Sequence, residues 1–341
     1  MKKHFPLFYT DTIADKNAAI KEGYIFLDTN VLLHFFRLGE SFSKTFFQIL
    51  DKVKERVFIP YQVAKEYHPK YLELCVSLRK TYLNAIDYLT QLQNPLDQLN
   101  SKKADYTRFF DKETRQECDE LFSQQINTIK HKYEKEIEFL TKELENSALF
   151  NKIAGFFSDK VLEQLDPDFL EKTREQGKVR YDKKIPPGYK DSKKDENAFG
   201  DLIIWEEIIN CVASKDDIRY AILVSDDIKE DWVLEIAGEK HGPRRELIEE
   251  FNQKAHARFI CMSVATFIDA VQDFYNVVNK KDADDASDAS SGFQETQRII
   301  AGNIREKLSL KTISPKLSYT TSLENSVEDD NELYEDDSNL D

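Results

Sequence analysis

The stretch YIFLDTNVLLH, residues 24–34, decides the architecture. Apolar and aromatic side chains from Tyr24 to Leu27 run into Asp28. Thr29 and Asn30 follow, and apolar residues resume at Val31, Leu32 and Leu33. A short continuous apolar run ending on polar residues, with a helical pattern behind it, reads as a buried parallel strand that turns into a helix. In open parallel sheets, ligands bind beyond the carboxyl ends of the strands. Asp28 is therefore either a ligand at a strand end or the N-cap of the following helix, and its neighbours in sequence leave both open.

Working outward, the same pattern recurs. VFIP at 57–60 reads as a strand stopped by Pro60, and a long stretch of helical periodicity carrying Glu66 follows it. YAILVSDD at 220–227 is a second apolar run ending in acids. RFICMS at 258–263 is another strand, and VATFIDAVQDFYNVV a helix behind it. Strands alternating with helices predict an α/β three-layer sandwich with a mostly parallel central sheet. A short helix is expected at 231–236. Residues 1–93 and 181–279 form the two parts of this core. Residues 94–180, rich in Lys and Glu with a stripe of Leu121, Phe122, Ile126, Ile129, Tyr133, Ile137 and Leu140, read as a helical insertion. It serves either as a substrate-gripping arm or as a plain solvated helical layer. Residues 280–341 read as a disordered acidic tail.

Composition narrows the function classes. The net charge of -15 argues at first against a nucleic-acid partner. About half of it lies in the last segment, where 15 Asp+Glu face 7 Lys+Arg. Cys75, Cys118, Cys211 and Cys261 form no CxxC pair and read as reduced thiols, and the six histidines show no zinc-binding spacing. No apolar run approaches the roughly 20 residues that span a bilayer. The N-terminus makes a poor signal peptide, so the expected location is cytoplasmic and no membrane partner is expected.

What remains is a set of carboxylates. Asp28, Glu66, Asp201 and the pair Asp226 and Asp227 all fall at strand ends or in early helical turns. Each has a plain alternative: Glu66 as a surface helix residue, Asp201 as an acid favoured by the helix dipole, Asp227 as a cap. If a parallel sheet gathers them at one edge, they repel one another unless a cation sits between them. Mg2+ or Mn2+, which favour oxygen ligands, are the natural occupants.

With these residues in view, the chain resembles the PIN-domain nucleases, in particular a larger PIN-like branch with a long insertion. The matching pieces are FLDTNVLL at 26–33, IPYQVAKEY at 59–67, PPGYKD and NAFGDLIIW between 186 and 205, and LVSDDIKEDW at 223–232. The resemblance implies a metal-dependent endonuclease, usually acting on RNA, with a metal-activated water as nucleophile. It makes Asp28, Glu66, Asp201 and Asp227 the catalytic and metal-binding acids. Asp226 is either a further ligand or turned away, since neighbouring side chains of extended chain alternate. Asn30 and Ser225 match small polar positions at the substrate and its waters. Lys190, Lys193 and Lys194 are candidates for phosphate contacts on charge alone.

Rival classes remain. A haloacid dehalogenase-type phosphatase wants a second Asp two positions after the first, where this chain has Asn30. A receiver-like domain does not accommodate the insertion. The serious alternative is a catalytically inactive PIN-like scaffold or nucleic-acid-binding subunit of a larger complex. The segment 293–308, with Phe293, Ile299, Ile300, Ile304 and Leu308, or the acidic tail offers a protein-binding element, and a homo-oligomer is compatible with all of this. Toxin, defence and RNA-processing roles are not separated by the residues.

Overall fold

Four parallel strands build the sheet that positions the acids. The computed structural model describes residues 1, 13–101, 112–192, 197–227, 229–237 and 239–312. The chain begins with α1 (Ile13–Glu22), enters the sheet as β1 (Tyr24–Leu27), and turns at Asp28 into α2 (Thr29–Arg37) and α3 (Gly39–Val53). Strand β2 (Val57–Phe58) leads into the long helix α4 (Tyr61–Ser101). Helices α5 (Lys112–Asn146), α6 (Ala148–Phe156), α7 (Pro167–Asp182) and α8 (Gly200–Ala213) follow. The second half returns to the sheet as β3 (Tyr220–Val224), makes a hairpin of β4 (Val233–Ile236) and β5 (Glu239–Pro243), and closes with α9 (Arg245–Ala255), β6 (Arg258–Met262), α10 (Val264–Tyr275) and α11 (Lys280–Thr312).

Strand order is β2-β1-β3-β6, and every pairing in this sheet is parallel. Ile25, Phe26, Leu27, Ala221, Ile222 and Val224 are buried on both faces, which is why these strands read as continuous apolar runs. Helix α10 packs on α1 and α3, and α8 on α4 and α9, with the sheet's apolar side chains in the same core. The expected α/β architecture with a mostly parallel central sheet is thus present.

The register places the site. Leu27 is level with Val224, and Val224 with Met262. Beyond the last paired residues, the Asp28 amide donates to the Val224 carbonyl (3.1 Å) and the Ser225 amide to the Met262 carbonyl (3.0 Å). The polypeptide leaves β1 towards β2 on one side and β3 sits on the other, so the strand order reverses here. Such a switch point opens a crevice at the carboxyl ends of the strands.

Three expectations change. The helix expected at 231–236 is instead strand β4 of the antiparallel hairpin. Trp232 and Val233 are buried while Glu235 and Ile236 are exposed, so there is no amphipathic helical face. Trp232 is held by the rings of Trp205 and Phe259. The insertion does not begin at 94, because the helix that carries Glu66 runs unbroken to Ser101 and pairs with α5 as a hairpin. The α5 stripe is buried at its base, at Leu140, whereas Leu121 and Phe122 are exposed. Finally, the expected tail is helical from Lys280 to Thr312. Ala283, Ala286, Ser287 and Ser290 are buried. Their small side chains, at helical spacing, allow a close approach that an acidic composition conceals. Residues 313–341 lie outside the described residues. Residues up to 295 form one compact unit, and the described residues from 296 onward belong to a second.

Candidate active site at the sheet switch point

Asp28 turns out to fill both of its expected places. It caps α2 in an extended conformation (φ -85°, ψ 163°) and its Oδ1 accepts from the Thr29 amide at 2.6 Å. Its Oδ2 accepts from Asn30 Nδ2 (2.5 Å) and Ser225 Oγ (2.6 Å). Asn30 also donates to Ser225 Oγ (2.9 Å) and its Oδ1 accepts from the Asp226 amide (2.9 Å). Asn30 and Ser225 thus clamp the ends of β1 and β3 around one carboxylate. Burial pushes the Asp28 carboxyl above its ordinary value. The Ser225 and Thr29 hydrogen bonds oppose that shift, and the negative charges of Glu66 and Asp227 add to it.

Glu66 reaches the same crevice from the second turn of α4. The N-terminus of that helix is set by Glu207 of α8, whose two carboxylate oxygens accept from the Gln62 amide (3.2 and 3.0 Å). One turn later, Glu66 Oε1 accepts from Gln62 Nε2 (3.0 Å) and Asn197 Nδ2 (2.6 Å). Oε2 takes Lys70 Nζ (2.6 Å) and Thr29 Oγ1 (3.3 Å). Burial would raise this carboxyl, but the Lys70, Gln62 and Asn197 contacts outweigh it and hold Glu66 below its ordinary value.

Asp201 lies in the first turn of α8, and its Oδ2 accepts from Trp232 Nε1 (3.3 Å). Burial pushes its carboxyl up to about 7. The Lys229 ammonium counters that shift, whereas Asp28 and Asp191 reinforce it. Asp227 is exposed at the end of β3, with Lys229 Nζ 3.9 Å from its Oδ2. The structure therefore brings Asp28, Glu66, Asp201 and Asp227 into one electrostatic neighbourhood, from four chain segments.

It does not bring Asp226 there. That side chain is turned away, with Oδ2 accepting from His34 Nε2 (2.9 Å) and Ser290 Oγ (2.7 Å), and Oδ1 from the Val264 amide (2.8 Å) and Gln294 Nε2. Burial acts to raise its carboxyl, and the His34, Val264 and Ser290 donors pull it below the ordinary value. Its lone pairs are spent on α2, α10 and α11. Lys190 pairs with Glu230 at the surface, and Lys193 and Lys194 lie outside the described residues.

Several residues of the site were not singled out in sequence. Gln62 and Asn197 hold Glu66, and Gln62 Nε2 also donates to Asn197 Oδ1 (2.8 Å). Each sits four residues before a candidate acid, a spacing that could have flagged them. Asp191 and Lys229 form an ion pair at 2.8 Å beside Asp201 and Asp227. Buried Asp231 accepts from the amides of Gly188 (3.0 Å) and Lys190 (3.2 Å), tying the PPGYKD loop to the segment that carries Lys229. Arg37, packed over the Phe293 ring at 5.6 Å, is coupled to Asp227.

The donor set is all carboxylate and amide oxygen, the chemistry that hard divalent cations select. Among the described residues, no three His, Cys, Asp or Glu side chains converge closely enough to hold an ion as they stand. A cation nevertheless already stands among them, the Lys229 ammonium. Asp28, Glu66, Asp201 and Asp227 are the side chains that could hold a divalent cation here.

A parallel sheet with acids bordering its switch point defines an α/β protein with a polar crevice at the carboxyl ends of its strands. The family model described as PIN like domain matches residues 24–247, about two thirds of the chain. The protein belongs to the PIN-like domain family. No curated protein and no solved structure matches it significantly. Among the described residues, no helix is long and apolar enough to cross a membrane.

Proposed function

We propose that the protein is a Mg2+- or Mn2+-dependent endonuclease that hydrolyses phosphodiester bonds, RNA in preference to DNA. The reading is supported by four acids from four segments, Asp28, Glu66, Asp201 and Asp227, that border the carboxyl edge of the sheet at its switch point and act electrostatically on one another. A bound divalent ion supplies an activated water and neutralises charge developing on the phosphodiester. The chain's own residues do the rest. Asn30 and Ser225 fix the Asp28 carboxylate. Gln62, Asn197 and Lys70 orient Glu66. Asp201, at the start of α8 and held by Trp232 Nε1, faces the same acids. Exposed Asp227 borders the open side, where a strand of nucleic acid enters.

Cleavage of labelled single-stranded RNA and DNA in Mg2+, Mn2+ or EDTA, with Asp28→Asn alongside, tests this. The expected result is metal-dependent cleavage that favours RNA and is lost in the variant. Full cleavage by Asp28→Asn overturns the assignment to this site. A folded protein that binds RNA but neither metal nor cuts is instead the scaffold.

A further inference from the structure

Most cations around the acids are already spent. Lys70 is paired with Glu66 (2.6 Å), Lys229 with Asp191 (2.8 Å) and Lys190 with Glu230. Arg37 differs. It lies in the last turn of α2, the helix that Asp28 begins, and is half-buried. Among the described residues its guanidinium makes no hydrogen bond and no ion pair; it lies instead 5.6 Å from the centre of the Phe293 ring. Burial lowers its basicity and the negative charge of Asp227 works the other way, so that carboxylate is near enough to act on Arg37 without being its partner. Phe293 is held in place from two sides. Its ring meets His34 edge-on at 5.3 Å, and on the same helix Ser290 and Gln294 donate to the Asp226 carboxylate that His34 also contacts. Asp226 therefore fastens α11 to the end of β3, one residue before Asp227, and sets the aromatic ring under Arg37.

A guanidinium carries five donors in a planar fork that matches the oxygens of a phosphate two at a time. An aromatic ring beneath it stabilises the charge and occupies none of those donors. Half out of water and with no protein acceptor, Arg37 gains more from an incoming anion than a paired or fully solvated arginine does. A chain of net charge -15 repels a polyanion, which gives a fixed cation beside the open side of the crevice its use. We infer that Arg37, on its Phe293 shelf, binds a backbone phosphate of the nucleic-acid strand where that strand passes Asp227. This rests on the nuclease reading above and deepens it with a substrate contact outside the acids. The plainer account is that Arg37 only favours the carboxyl end of the α2 dipole and packs on a ring, which involves no ligand.

The test is binding, read apart from cleavage. Fluorescence anisotropy follows labelled single-stranded RNA on the full chain over a series of salt concentrations, in EDTA and, for a phosphorothioate-linked strand that resists hydrolysis, in Mg2+. Arg37→Gln is expected to bind about 10-fold more weakly, and its salt slope should fall by about 0.7, the share of one phosphate contact on a single strand. Arg37→Lys keeps the charge and should keep the slope. Single-stranded DNA should show the same loss, because the contact reads phosphate and not sugar. Wild-type affinity and slope in a folded Arg37→Gln overturn the inference and leave the nuclease reading standing, since a packing role moves stability and not salt dependence. If Arg37→Gln does not fold, phenylglyoxal modification of wild type mapped by mass spectrometry decides: RNA is expected to protect Arg37, and equal modification with and without RNA overturns the inference. Arg37-dependent binding by a chain that cuts nothing in Mg2+ or Mn2+ keeps the phosphate contact and removes the nuclease reading. A wild type that binds neither polymer overturns both.

Discussion

Asp226 and Asp227 are chemically identical neighbours in sequence, and exchanging each in turn should produce opposite failures. Asp226 accepts four hydrogen bonds, from His34, Ser290, Gln294 and the Val264 amide. The His34 and Asp226 side chains are 1% and 4% exposed, so water does not replace what is lost. Asp226→Ala leaves four donors without an acceptor, at about 1 kcal/mol each, or about 3–5 kcal/mol together, the range found when one partner of a buried pair is removed. That is a large part of a typical folding free energy of about 5–15 kcal/mol. With a urea slope of roughly 2–3 kcal/mol/M, the unfolding midpoint should fall by about 1–2 M. Asp227→Asn alters a side chain that is 67% exposed, so its folding free energy should stay within about 0.5 kcal/mol of wild type, while Mn2+ affinity drops. Urea titrations followed by circular dichroism, with calorimetric Mn2+ binding, read both. A wild-type midpoint for Asp226→Ala, or a large loss for Asp227→Asn, would refute the division of roles.

The remaining predictions concern the site's electrostatics and its supports. Burial raises the carboxyls of Asp201 and Glu207 to about 7, so the folded chain holds protons there that the unfolded chain releases near pH 4. Their contribution to stability is present at pH 4 and is lost as pH rises to about 7. Without metal, thermal midpoints of wild type and Asp201→Asn should therefore diverge across pH 4–7, with wild type losing more, and Mn2+ should recover it. Identical slopes would sink the assignment. Glu250 behaves oppositely. Burial works against its charge, yet Arg180 and Lys254 hold its carboxyl down to about 2. Its stabilisation, at most about 3 kcal/mol, is present above about pH 4.5 and lost as pH falls to about 2. Glu250→Gln should flatten the acid limb of the unfolding curve. Asn197 sits at φ 59° and donates to Glu66. Asn197→Gly, which keeps that backbone conformation accessible, should weaken Mn2+ binding about 10- to 100-fold as the orienting contact goes; unchanged affinity would show that Asn197 does not act through Glu66.

The strands at 24–27 and 220–224 were legible because a buried parallel strand needs an uninterrupted apolar run, and the polar residues after each run mark the carboxyl edge. The four acids followed from that edge and from family-like motifs around them. The hairpin at 233–243 was not legible, because its fold rests on Trp232 meeting Trp205 and Phe259, side chains distant in sequence. Nor was the helix from Lys280. Its packed face is Ala and Ser, and its acids, facing outward, dominate the composition.

The sequence alone thus determined the alternation of strands and helices, the places where strands end in acids, and the order of Asp28, Glu66, Asp201 and Asp227. Each of these depends on local pattern and period. Tertiary structure decided which of two adjacent aspartates faces the crevice, which amides hold Glu66, and that Lys229 stands among Asp191, Asp201 and Asp227. The physical reason is register. Pairing Leu27 with Val224 sets Asp28 beside Ser225 across 197 positions of chain, and that choice, made by packing of the whole sheet, leaves no mark in either stretch by itself.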